Sequence, residues 1–227
     1  MGNTIGTPVL AGLPDLAADI LSFIQSIRKA ADPGEYEPFR AKAEDLFRSF
    51  ETRAKESDIP DPMIQLAKYA LVAFLDETIM TSNWALKEPW GGNPLQLIYF
   101  NDFSAGEEFF TKLESLRNTD DPVKLDVLEI YYLCMAVGFK GKYADLKGME
   151  KIKVLLESLS KEIRRVRLKG TEGLSPNWQP ADQGANLVKE FPVWIIVVGC
   201  GAVLLVLYAV LSTILGRVAD GVIQSVS

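Results

Sequence analysis

Residues 66–75, LAKYALVAFL, followed at once by Asp76 and Glu77, decide the fold. Nine of these ten residues are apolar and Lys68 alone is charged. A helix that is apolar all round has no solvent face and must be covered on every side. The stretch therefore predicts a central helix with other helices packed about it. Pro60 and Pro62 mark its start.

Outward in both directions the pattern stays helical. Leu16, Ile20, Phe23, Ile24 and Ile27 recur at helical spacing, with Pro14 placed to open the helix and Gly34 to close the segment. Phe39, Ala43, Leu46, Phe47 and Phe50 repeat the pattern. Downstream, Pro89, Gly91, Gly92 and Pro94 rule out one continuous helix and predict a structured connection. Ser104 and Glu107 have capping-box spacing before GEEFFTKLESL. Asp121-Pro122 marks another start, and Leu125, Leu128, Tyr132 and Met135 form the next apolar stripe before Gly138 and Gly141. Ile152, Leu155, Leu156, Leu159, Ile163 and Val166 define a last helix. With no alternating run and no internal repeat, the expected class is all-α, a helical domain of two packed helical bundles over residues 1–169.

Beyond it, residues 170–192 are rich in Gly, Pro and polar groups and read as a linker. Val193 to Leu215 then runs for 23 residues without a charge. As a helix it is about 34 Å long against a hydrocarbon core of about 30 Å, so it is expected to be a single transmembrane helix. A short tail, 216–227, follows, which makes the chain tail-anchored. Lys161, Arg164, Arg165, Arg167 and Lys169 precede the span and Arg217 alone follows it, which places the N-terminal domain in the cytoplasm. Neither a secretory signal nor a myristoylation pattern opens the chain, since Gly6 stands where Ser or Thr is required.

Composition excludes whole classes of chemistry. The 227 residues contain no histidine, which removes His-dependent triads and zincin motifs. No GxxxxGK[ST] or GxGxxG is present, and no cofactor is expected. The two cysteines, Cys134 and Cys200, lie in separate apolar runs and do not pair, as suits a reducing compartment. Residues 1–160 carry 17 Lys and Arg against 25 Asp and Glu, so nucleic acid is not an expected partner. Residues 161–169 carry five bases against one acid and are suited to anionic headgroups or to solvent.

The candidate site is the acidic pair Asp76 and Glu77. Acids near a helix C-terminus oppose its dipole, and local rules are broken most often where something else is served. Three readings stand open: a structural ion pair or cap, an acidic surface for a partner, and catalysis, the last weakened because adjacent helical residues point about 100° apart. Trp84, Trp90, Tyr99, Phe100 and Phe103 flank the Pro/Gly-rich connection and either plug a core or anchor a partner, with the core favoured. In the span, Ala209/Thr213 and Ser212/Gly216 would allow close approach of another helix.

Four stretches in order resemble the DotU/IcmH family, which includes the TssL component of type VI secretion systems. They are LVAFLDE (71–77), W-x5-W (Trp84 to Trp90) leading to PLQ (94–96), GEEFFTKLESL (106–116) and LEIYYLCMAVGFKGKY (128–143). The resemblance implies a non-enzymatic structural subunit of the inner-membrane complex of a type VI secretion system. Its expected partners are an IcmF/TssM-type inner-membrane protein, cytoplasmic baseplate components, membrane lipid and, as a further candidate, a second copy of the chain in a homodimer. It also implies that Asp76 and Glu77 make the cytoplasmic contacts. The equivalent stabilising subunit of a type IVB system and an unrelated tail-anchored helical adaptor are the alternatives.

Overall fold

A computed structural model describes residues 12–171, with side chains as far as 168. Every regular element among them is helical: α1 (Leu13–Arg28), α2 (Tyr36–Glu56), α3 (Asp61–Met80), α4 (Lys87–Gly92), α5 (Leu95–Phe100), α6 (Ala105–Arg117), α7 (Lys124–Val137), a 3-10 turn at Gly141–Tyr143, and α8 (Leu146–Thr171). The all-α expectation is met. Helix α8 continues two residues past the expected domain end at 169. The rest of the expected linker, the span from Val193 to Leu215 and the tail lie outside the described residues. Among those that are described, no helix is long and apolar enough to cross a membrane.

The continuous apolar run does what it must. Helix α3 packs against α1, α2, α4, α5, α6 and α7, and Ala70, Leu71, Val72 and Leu75 are completely buried around its circumference. Two groupings share it: α1 and α2 pack on α3, and so do α6 and α7, while α8 packs on α7. Because α3 and the α1–α7 contact belong to both, the buried side chains form one contiguous cluster. Lys68, the one charge in the run, is buried as well. Its ammonium meets Glu51 at 3.1 Å and lies 3.4 Å from the centroid of the Tyr99 ring, so the charge is both paired and held against a π face.

Sequence periodicity placed most core positions correctly but misjudged α7. Leu128 and Met135 are buried, whereas Leu125 and Tyr132 are only partly so, and the unassigned Val127, Ile130, Tyr131 and Cys134 are completely buried. Packing against α1, α3, α6 and α8 at once surrounds α7, so a single stripe describes only part of its buried surface. The capping box at Ser104 does not form. Its hydroxyl donates to Asp102 at 2.7 Å, and the Ala105 amide is taken by the Gln96 side chain at 3.2 Å. A nearer carboxylate has captured the hydroxyl that the motif would have used.

Phe109 is the centre of the aromatic packing between α6 and α7. Its ring stands 4.2 Å from Phe139, 4.6 Å from Tyr131 and 5.1 Å from Phe110, centroid to centroid, and it is wholly buried. Phe109→Ala is expected to lower the stability of the domain by about 3–5 kcal/mol, read from the denaturant midpoint at unchanged slope. A loss under about 1 kcal/mol would show that the site collapses around the smaller side chain.

Candidate functional site

The C-terminal end of α3 is where the acidic pair stands, and α3 continues past it to Met80. Asp76 is 2% exposed, so its charge must be answered from within the protein. Its Oδ1 accepts from the Trp90 indole N–H at 2.8 Å and from the Leu95 amide at 3.1 Å, and its Oδ2 accepts from the Gln96 amide at 2.8 Å. Leu95 and Gln96 are the first two residues of α5, whose N-cap, Pro94, has no side chain able to serve them. A carboxylate from α3 thus caps α5 across the fold. Burial is the largest influence on this carboxyl and raises its pKa above the ordinary range, against the three hydrogen bonds and the Arg40 charge.

Glu77 points elsewhere. Its Oε1 accepts from the Lys140 amide at 2.9 Å and its Oε2 from the Gly141 amide, which ties α3 to the turn after α7. Burial raises this carboxyl too, opposed by those amides and by the charges of Lys140 and Arg28. The turn is built on glycine for a steric reason. Gly141 has φ +49°, and a Cβ there would lie 2.3 Å from the Gly106 carbonyl oxygen. Gly138 has φ +124°, and a Cβ there would lie 2.4 Å from the Arg28 guanidinium, which itself donates to the Val137 carbonyl.

Half-buried Glu77 lines a cleft of about 190 Å³ with Arg28, Thr78, Thr81, Ser82 and Trp84. The structure therefore separates the pair. Asp76 is an internal brace, and Glu77 faces a cleft while holding a turn. Of the open readings, the structural cap describes Asp76, because α3 turns it into the fold.

The neighbouring aromatics divide in a similar way. Trp90 is completely buried, edge-on to Tyr36 and Phe39, with the Arg40 guanidinium 4.6 Å from its ring. Arg40 also donates to the Asn93 carbonyl and to Glu44, both at 2.7 Å. Tyr99 and Phe100 are partly buried against the core. Phe103 departs from the expected plug and is 74% exposed. Sequence reasoning missed the Tyr69 hydroxyl bond to Asp102. Burial alone would raise the Asp102 carboxyl, but this bond and those from Ser104 outweigh it and hold the group below its ordinary range. The buried Cys134 thiol is pushed upward by burial, as an inert core residue requires. Among the described residues no cluster of three or more acidic or Cys side chains is placed to hold a metal.

These features define a helical domain in which an acidic helix end fixes two connections, and in which one of the two acids also lines a surface cleft. The sequence profile of the DotU family, described as type VI secretion system protein DotU, matches residues 12–214, and the chain belongs to that family. It is similar to the cytoplasmic domain of TssL from Acinetobacter baumannii, 35% identical over 68% of this chain and 98% of that one, with a TM-score of 0.64. TssL from Vibrio cholerae has the same fold at 22% identity, over 69% of this chain and 97% of that one, with a TM-score of 0.59. So does SciP/TssL from enteroaggregative Escherichia coli 042, at 19% identity over 65% and 84%, with a TM-score of 0.55. No curated protein matches the chain. The resemblance read from the four motifs is borne out.

The raised Glu77 carboxyl makes a pH prediction. The folded protein takes up this proton at a higher pH than the unfolded chain, so between the two values the folded state binds more protons and stability falls as pH rises. Glu77→Gln removes that contribution. Its denaturant midpoints from about pH 5 to about pH 8 are expected to fall less steeply than those of the parent. Parallel curves would mean that the Glu77 carboxyl titrates alike in both states.

Proposed function

We propose that this chain is a structural, non-enzymatic subunit of the inner-membrane complex of a type VI secretion system. In this reading Val193 to Leu215 crosses the bacterial inner membrane once and the helical domain lies in the cytoplasm. The anchor and domain pair with an IcmF/TssM-type protein, and the cleft at the end of α3 receives baseplate components. Membership of the DotU family supports the system, and a relative at 35% identity described as a cytoplasmic domain supports the placement. The type VI description of the family favours that system over type IVB.

The observation that carries the docking part is the divided acidic pair. Asp76 holds the α4–α5 connection from inside, and Glu77 holds the 140–141 turn while facing the cleft. A cleft with a carboxylate, a guanidinium and the half-buried indole of Trp84 has the makeup of a small protein-docking site, where an aromatic and a few charges set the specificity. Asp76 contributes by positioning and Glu77 by contact.

Affinity purification of the full chain from native membranes in mild detergent, with mass spectrometry of its companions, tests this. The parent is expected to bring an IcmF-like protein together with baseplate components. Glu77→Lys is expected to keep the former and to lose the latter roughly tenfold or more, as reversal of a partly desolvated charge would require. Equal recovery of baseplate proteins by a folded Glu77→Lys variant would remove the docking role. Recovery of neither companion by the parent would remove the scaffold reading.

A further inference from the structure

Helix α8 carries three cations, Lys161, Arg164 and Arg165, that form no ion pair with an acid among the described residues, whereas Arg167 beside them is engaged. Lys161, Arg164, Arg165 and Leu168 fall at the i, i+3, i+4 and i+7 spacing of one helical face, and all four are exposed. The opposite face is buried through Leu159 and Ile163. Nearby acids are already engaged elsewhere: Glu162 takes Arg117 at 3.0 Å, and Glu129 takes Arg167. No acidic group among the described residues is in ion-pairing distance of Lys161, Arg164 or Arg165. Earlier on the helix the signs alternate, with Glu150 and Glu157 among Lys147, Lys151 and Lys153. The concentration of one sign begins only at 161.

An apolar element accompanies the cations. Leu168 is 48% exposed, and a groove of about 340 Å³ beside Lys161 and Arg164 is lined by Tyr132, Leu156, Ser160 and one acid, Glu157, which the two cations outnumber. Cations with long stems around exposed leucine and a phenol ring make a surface that lies well on phospholipid headgroups. The rest of the domain has the opposite charge, with 25 acids against 17 bases in residues 1–160. A surface of anionic lipid would repel that body and attract this end alone.

We infer that the exposed face of Lys161, Arg164, Arg165 and Leu168 docks on the anionic phospholipid headgroups of the membrane that holds the chain, and so sets how the domain is oriented above it. The inference rests on the proposed span at 193–215. Residues 172–192 would allow α8 to stand up to about 70 Å from that span, so the tether does not impose the contact. It keeps the face at high local concentration near lipid, where a modest attraction is enough.

The test uses the full chain in nanodiscs of neutral phosphatidylcholine, or of phosphatidylcholine mixed with phosphatidylglycerol. A fluorophore at Val154→Cys, on the same exposed face, is placed in a Cys200→Ala background, with buried Cys134 left in place. Quenching by headgroup-spin-labelled lipid reports proximity. It is expected to be several-fold stronger in the anionic discs and to fall to the neutral level at high salt. Lys161→Gln/Arg164→Gln/Arg165→Gln should abolish the difference, while Lys147→Gln/Lys151→Gln/Lys153→Gln keeps it. Quenching indifferent to lipid charge and salt overturns the inference even if the triple variant fails to fold, and so does a folded triple variant that behaves as the parent does. Co-elution with the discs reports the span separately: retention without charge dependence overturns only the headgroup contact, and failure to enter either disc overturns the membrane reading and this inference with it.

Discussion

One buried carboxylate organises the functional end of this domain. Asp76 can lie at 2% exposure only because three N–H groups reach it, one from an indole and two from the start of a short helix. Each hydrogen bond to a charged acceptor contributes about 1.5–3 kcal/mol, and loss of the acceptor would strand all three donors. A six-residue helix such as α5 has no independent stability, so its position depends on what caps and covers it. The brace is therefore mutual. Asp76 needs the α4–α5 connection to be tolerable inside the fold, and the connection needs Asp76 to be ordered.

The same junction accounts for the motifs through which the family is recognised. LDE supplies Asp76 and Glu77. The second tryptophan and PLQ supply the donors to Asp76. The glycines after α7 supply the turn that Glu77 holds, and Gly141, having no Cβ, lets that turn approach the Gly106 carbonyl at the start of α6. Four stretches that lie apart in the chain share one physical task, the closing of the fold around the end of α3. Burial of α3 explains why so much converges there, since it already touches the helices that carry the other three.

Much of the architecture was legible because burial leaves a periodic trace. The apolar run 66–75 calls for a helix covered on every side, and Leu16, Ile20, Ile24 and Ile27 mark the buried face of α1 by their spacing alone. Helix α7 was read less well because it is surrounded, and an apolar face wider than one stripe carries no phase. The divided roles of Asp76 and Glu77 left no local signal. Adjacent acids look equivalent in sequence, and what separates them is a set of donors 14 to 20 residues downstream for one and 63 to 64 for the other. Lys68 was visible as the one charge in the apolar run, whereas its partner Glu51 lay on another helix. Phe103 sat among aromatics that are partly or wholly buried, and composition alone could not show that it faces solvent.

The central claim is that Asp76 is an internal brace energetically coupled to the α4–α5 connection. A double-mutant cycle measures this directly, with Asp76→Ala, Trp90→Phe and the pair compared by chemical denaturation. Trp90→Phe removes the indole N–H while keeping an aromatic ring, so the cycle isolates the hydrogen bond and its charge. A coupling energy of about 1–3 kcal/mol is the predicted result. Additivity to within about 0.5 kcal/mol would contradict the brace.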